Sequence, residues 1–346
     1  SSDPGPRRRR RDGRAVTVVD EQLPSRPRVA ARRRRRPLRV LTSRDRLWLK
    51  LAVGIPASIH ILLVWVPAIL TAILSFAQWD NLTPLTTIEF VGFRNYWQIF
   101  TIFDVQLFPA LFNNLIVIVW LFACAAIGLL FAYLLDKNIR GSRFYQSMFY
   151  LPVVLSSAVV GFMWRSVMFS PDQGLLNILW PGENVEWLGD SSRIFELGVP
   201  FSDVNVGLSR NFAALLVAMS WRHIGYIMVL FLAGLKAVDP ALREAAAIDG
   251  CNEWQAFRQV VFPALKPITV VVAVITMIEA LRAYDIIVAL GRQRGTDVIA
   301  TLVVSSLTGE GGGRVGIGSA YGMILLLLCL GFIIYYVTNN FRKYDR

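Results

Sequence analysis

Six stretches of this chain are each apolar over enough residues to cross a lipid bilayer, and that one feature decides most of what it can fold into. They cover about 48–77, 110–135, 144–169, 212–235, 264–290 and 319–341. A helix needs roughly 20 apolar residues to span the hydrocarbon layer. Backbone groups inside lipid have no water to bond, so each stretch is predicted to be helical. The expected fold is all-α, a polytopic membrane protein with six transmembrane helices. The charge deficit agrees: 17% of residues are charged, against roughly 25% in a soluble domain. The first apolar run starts near residue 48, so no cleavable signal peptide is expected. Pro56 and Pro67 lie in that run and predict a kink.

The net charge of +12 is local. Residues 1–50 hold 17 of the 36 Lys and Arg, with the runs Arg7–Arg11 and Arg32–Arg36. Residues 1–47 therefore read as a disordered Arg-rich cytoplasmic tail. Anionic lipid headgroups are a plausible partner, at about 1 kcal/mol per basic residue near the surface. Nucleic acid is not an expected partner, because no aromatic residues interleave the basic runs. Short loops follow the positive-inside rule when the N-terminus is inside. The inner loops then carry Lys137, Arg140, Arg143, Lys236, Arg243 and Arg258, and the tail 342–346 is also cytoplasmic. Residues 48–341 form the expected transmembrane domain, and 236–263 its cytoplasmic loop.

No metal site is expected. Three cysteines and two histidines show no ligand spacing. No GxxxxGK[ST] phosphate loop occurs, and no Gly-Lys pair exists anywhere. No catalytic residues are expected, and the chain is not expected to be an enzyme.

The inner segment 236–263 has an unusual build for a connector. Asp239-Pro240 predicts an N-cap followed by a first-turn proline. Good helix formers run to Asp249, and Gly250 should end that helix in a left-handed turn. Asn252 and Gln255 have capping-box spacing for a second helix through Trp254, Phe257 and Val261. On the residues alone, this is an amphipathic elbow on the membrane surface, with or without a partner.

The same residues carry a resemblance. Glu244-Ala245-Ala246, three residues, Gly250, nine residues, then Val260-x-Phe262-Pro263 closely resembles the EAA loop of ABC importer permeases, EAA-x3-G-x9-I-x-L-P. Phe262 stands where leucine is usual. The flanking Asp239-Pro240 and Lys266-Pro267 look like the carbohydrate-uptake, maltose-type branch. Residues 50–341 share its rhythm, except that Gly291-Arg-Gln-Arg-Gly295 replaces a Thr-Gly-Gly-Gly-Pro run.

The resemblance implies a type I ABC importer permease fold in a bacterial plasma membrane, with both termini cytoplasmic. It implies a second permease subunit, two ATP-binding subunits and an extracytoplasmic solute-binding protein as partners. ATP and magnesium would be held by the partner ATPase, leaving no cofactor on this chain. It assigns Glu244, Ala245, Ala246, Asp249 and Gly250 to ATPase coupling, the small alanines entering a cleft on the partner.

Cargo contacts are sought among intramembrane polar groups, since a charge there costs about 2.5–3.5 kcal/mol and faces a cavity or a partner. Glu279, Arg282 and Asp285 fall three apart and are predicted to share a helix face where they can pair. Pairing that fixes helix packing explains them as well as cargo contact does. Ser157, Trp221, His223, Tyr226 and Tyr284 complete the candidate set, with ordinary packing the alternative for the aromatics. The resemblance places a sugar near Ser157, His223 and Tyr226. An ion-coupled secondary transporter using Glu279 and Asp285 is the competing function.

Overall fold

The computed structural model describes residues 43–80, 82–137, 139–179, 184–200, 202–309 and 313–341. Most of the basic tail and all of residues 342–346 fall outside these, and with them the lipid-binding expectation. The chain divides into two units, residues 1–59 and 60–346. The described part of the first is helix α1 (Ser43–His60) with Pro56 inside it.

The second unit begins with a wide π turn, Ile61–Trp65, then α2 (Val66–Leu74). The Val66 N–H reaches back to the Ile61 carbonyl, five residues away. Pro67 follows at once. A proline has no N–H to donate and its ring crowds the carbonyl four residues earlier. Widening the turn just before it relieves that clash, so the predicted kink takes the form of a π turn. The same geometry precedes Pro263, where Phe262 N–H bonds the Phe257 carbonyl.

A short hairpin, β1 (Ala77–Gln78) with β2 (Glu89–Phe90), leads into α3 (Arg94–Thr101). Helix α4 (Asp104–Asp136) is 33 residues long, about 50 Å at 1.5 Å per residue. The third apolar stretch is not one helix. It is α5 (Ser142–Val154) and α6 (Ser157–Met163, extended by a π turn to Met168), bent by 102°. Leu155 is extended and the Ser156 hydroxyl caps α6 by accepting from Val159 N–H. After α7 (Leu175–Leu179) and a second hairpin, β3 (Leu197–Gly198) with β4 (Asn205–Val206), comes α8 (Arg210–Ala237). The inner loop is α9 (Pro240–Ile248), α10 (Glu253–Ala256), the π turn Phe257–Val261 and α11 (Phe262–Ala264).

The fifth stretch also corrects the sequence expectation of one helix over 264–290. Helix α12 (Lys266–Leu281) has 16 residues, about 24 Å, and stops short of a ~30 Å hydrocarbon layer. Residues 282–284 form a turn, and α13 (Asp285–Ala289) resumes beyond it. Helices α14 (Ile299–Leu307) and α15 (Val315–Phe341) complete the chain. Among the described residues, four helices are long and apolar enough to cross a membrane, or up to six if each bent pair counts as one span.

Helices α4 and α8 run in the same direction as the central pair. Val117 and Leu121 meet Phe212 and Leu215 in one cluster; Ala132 and Leu135 meet Ile227, Met228 and Phe231 in the next. Lipid tails are as apolar as leucine, so close packing holds such helices together. Helix α5 crosses α8 at Gly225, where an added Cβ would lie 2.0 Å from the Phe149 carbonyl oxygen. Gly225→Val should separate these helices, at a cost of at least about 1–3 kcal/mol. The check is a lower melting midpoint of the solubilised chain; an unchanged midpoint would contradict the crossing.

Candidate functional site

The inner loop assembles from local signals. The Asp239 carboxylate accepts from Ala241 N–H at 2.9 Å and Pro240 occupies the first turn. Gly250 closes α9 at φ +78°. Asn252 Oδ1 accepts from Gln255 N–H at 2.8 Å, and Gln255 Oε1 accepts from Asn252 N–H at 2.9 Å, completing the capping box.

The loop is fastened to the bundle by groups the sequence reading did not select. Arg243 donates to Asp136 at 2.7 Å and to the Leu235 carbonyl at 3.2 Å, tying α9 to the ends of α4 and α8. Lys137 pairs with Glu253 and lies 4.7 Å over the Tyr133 ring. The Glu253 carboxylate beside it raises the Lys137 ammonium above the ordinary lysine value. Tyr133 packs on Phe257 at 4.5 Å between ring centres, and Trp254 stacks on Phe257 at 5.7 Å. Basic and acidic residues flanking an apolar span would have been the signal.

Fastening gives α9 two faces. Ala246 is 4% exposed and packs inward. It packs on the inner side of α9, unlike its neighbour Ala245. Glu244, Ala245, Asp249 and Gly250 are exposed, with Ile248 beside them at 87%.

The second site lies in the bundle. Glu279 of α12 does not pair with Arg282. Instead its carboxylate accepts from Arg222 Nη1 at 2.8 Å and faces His223 Nδ1 at 2.8 Å, both on α8. His223 Nε2 is 3.4 Å from the Thr276 hydroxyl. The helix ends at Leu281, and Glu279 is taken by Arg222 and His223 of α8 instead of by Arg282, so the expected three-residue pairing does not form. Arg282 and Asp285 are exposed, and their side chains have no hydrogen bond or ion pair among the described residues. Ser157, Arg222, Glu279, Arg282, Tyr284 and Asp285 line one cavity of about 40 Å³. That holds water, not a sugar ring. Arg282, Tyr284 and Asp285 also border a second cavity of about 280 Å³ toward α14 and α15. The buried Arg222 Nε–H has no protein acceptor among the described residues.

The remaining candidates are elsewhere. Trp221 packs edge-on against Trp164 at 5.9 Å. His223 is 1% exposed and positions Glu279. Tyr226 packs against the inner apolar cluster, away from the cavity. The loop 291–298 beside α13 is pinned by three asparagines. Asn113 donates to the Gly295 and Asp297 carbonyls, Asn211 to the Arg294 carbonyl, and Asn114 accepts from Ile299 N–H.

Residues 124–343 match the family described as "Binding-protein-dependent transport system inner membrane component". The xylose/arabinose import permease protein XacH of Haloferax volcanii is 34% identical over 67% of this chain and 69% of its own length. A probable ABC transporter permease protein of Bacillus subtilis, YurN, is 29% identical over 80% of this chain and 90% of its own. A bacterial ABC transporter involved in import of the acidic polysaccharide alginate contains a chain of the same fold. The TM-score is 0.67 at 22% identity, covering 86% of this chain and 96% of that one.

Proposed function

Because this chain belongs to the family of binding-protein-dependent transport system inner membrane components, and is thus a permease subunit of an ATP-driven importer, we propose that its cargo is a saccharide. It is a multi-pass protein of the plasma membrane and not itself an enzyme; ATP hydrolysis belongs to a partner chain. Relatives named for xylose and arabinose, and for trehalose and maltose, support the cargo class.

The observation that carries the coupling role is the exposed, rigidly held face of α9. Glu244, Ala245, Asp249 and Gly250 form a surface that an ATP-binding subunit can grip, and the Arg243 and Lys137 pairs fix it to α4. The partners implied are a second permease, two ATP-binding subunits with their ATP and magnesium, and an extracytoplasmic solute-binding protein. The termini then lie in the cytoplasm, as the inner-loop lysines and arginines require.

Cargo passes the break at 282–284. A spanning helix interrupted before it has crossed the layer leaves polar groups free for a ligand. Arg282 and Asp285 supply a donor and an acceptor for hydroxyls, and Arg222 supplies the buried Nε–H. The ion-coupled alternative is not favoured: its Glu279 is held by Arg222 and His223, and the family is ATP-driven.

The test reconstitutes the complete importer and measures uptake of labelled pentoses and of di- and trisaccharides. Glu244→Lys and Gly250→Pro should each lower uptake at least tenfold while membrane insertion persists. Full uptake by both variants would refute the coupling role. Uptake of none of the sugars would refute the cargo class.

A further inference from the structure

At the end of α4 opposite the inner loop, a cleft of about 540 Å³ opens between β1, α3 and the start of α15. Ligand sites for small molecules commonly measure about 300–1,000 Å³. Its floor is rigid. The Asn95 amide donates to the Ser75 and Ala77 carbonyls at 2.9 and 2.8 Å. Val315 N–H donates to the Trp79 carbonyl at 3.0 Å. A Cβ on Gly316 would lie 2.0 Å from the Ala77 oxygen, so α15 and β1 are in backbone contact there.

The walls carry charges of both signs that leave one another alone. Asp80, Glu89, Arg94 and Arg314 all line the cleft, and no two of them form an ion pair. Asp80 Oδ1 accepts from Leu82 N–H, Thr83 N–H and the Thr83 hydroxyl. Those bonds, Thr83's foremost, hold its carboxyl below the usual aspartate value, so it is ionised at neutral pH. Its other oxygen has no donor among the described residues. Glu89, Arg94 and the Gln98 amide have no partner there either. Arg314 lies 4.9 Å over the Phe103 ring, its donors otherwise free. The Trp79 indole N–H is fixed by the Thr83 carbonyl at 3.0 Å.

Two carboxylates and two guanidiniums balance, so the cleft carries no net charge that would favour an ion of either sign. What it presents is a dense set of charge-assisted acceptors and donors beside an anchored indole. A neutral polyhydroxylated ligand matches both: each hydroxyl donates and accepts, and C–H faces pack on aromatic rings. A docked protein loop would instead call for a desolvated aliphatic or aromatic anchor pocket, and this wall is mostly polar.

We propose that this cleft is a second saccharide site, on the extracytoplasmic side and separate from the break in α12–α13. It rests on the saccharide reading above. In the orientation given there, the cleft lies where cargo arrives, and it raises the local sugar concentration at the mouth of the pathway.

The test uses the complete importer in lipid nanodiscs without its binding protein, titrated with tritiated maltotriose and arabinotriose. Saturable binding should weaken at least tenfold in Glu89→Gln/Arg94→Gln and persist in Arg193→Gln, an exposed position that lines neither site. The exposed positions of Glu89 and Arg94 keep the fold intact, which a matched melting midpoint verifies. Binding indifferent to the cleft variants, or no binding although the importer takes up the same sugar, overturns the proposal and leaves the cargo class standing. In a second arm, with the solute-binding protein added to the same nanodiscs, loss of its capture by the cleft variants while trisaccharide binding stays intact also overturns it, giving the cleft to protein docking. If the importer takes up neither sugar and the cleft binds neither, the saccharide reading has failed and this site with it.

Discussion

Glu279→Ala should destabilise the permease by about 1–4 kcal/mol, between the ranges for exposed and fully buried ion pairs, because Arg222 and Glu279 are half-buried and His223 is buried. Glu279 holds Arg222 and His223 together from the neighbouring helix, at 2.8 Å each. Without it a guanidinium remains inside the bundle, and its Nε–H already has no acceptor among the described residues. A lone charge at that depth costs about 2.5–3.5 kcal/mol by itself. The measurement is thermal unfolding of the solubilised protein with a thiol-reactive dye in a Cys251→Ser/Cys329→Ser background, which leaves the buried Cys124 thiol as the reporter. Two leucines separate structure from transport. Arg222→Leu/Glu279→Leu should regain most of the lost stability, because well-packed apolar pairs replace buried ion pairs at little cost. It should not regain uptake if Arg222 also serves the cargo. An unchanged midpoint in Glu279→Ala would show that the pair is solvated and structurally idle.

What could be read from the sequence here is what is local. Asp239-Pro240, the Asn252–Gln255 box and the Gly250 turn each need only residues within one helical turn, and all three form as spaced. The apolar stretches likewise announce membrane helices. Their interruptions do not announce themselves. Residues Arg282, Ala283 and Tyr284 include no glycine or proline, and the charge periodicity through Glu279 and Asp285 reads as an unbroken helix. The partner that takes Glu279 is 57 positions away, beyond any spacing rule. Ser156 was a visible cap signal inside an apolar run, and hydropathy outweighed it. Ala245 and Ala246 look alike in sequence; only packing on the bundle shows that one faces out and the other in. Asn113, Asn114 and Asn211 in or beside apolar helices were the available hint that a loop is pinned there, since a buried amide needs partners.

Arg243→Glu should uncouple the importer: ATP hydrolysis continues while uptake falls at least tenfold. Asp136→Arg should do the same, and the Arg243→Glu/Asp136→Arg exchange should restore a substantial part of uptake. The reason is where the pair sits. Asp136 is the last residue of α4, and α4 with α8 forms the spine that reaches the opposite end of the bundle. Arg243 stands one turn into α9, next to Glu244, and bridges Asp136 to the Leu235 carbonyl. A push on the exposed face of α9 therefore reaches both spanning helices through one guanidinium. Lys137 with Glu253 makes a second tie from α4 to α10. Neither tie is strong at equilibrium. Lys137 and Glu253 are 39% and 80% exposed, and pairs this accessible contribute about 0–1 kcal/mol; Arg243 and Asp136 are 39% and 11% exposed, which puts that tie at the upper end, about 1 kcal/mol. Stability should thus move little in the single variants, while transport collapses. That split, together with recovery in the exchanged pair, distinguishes a transmission link from a packing contact. Equal losses of melting midpoint and uptake, with no recovery on exchange, would reduce Arg243 to packing. The apolar contacts of Phe257 with Tyr133 would then be what moves α4.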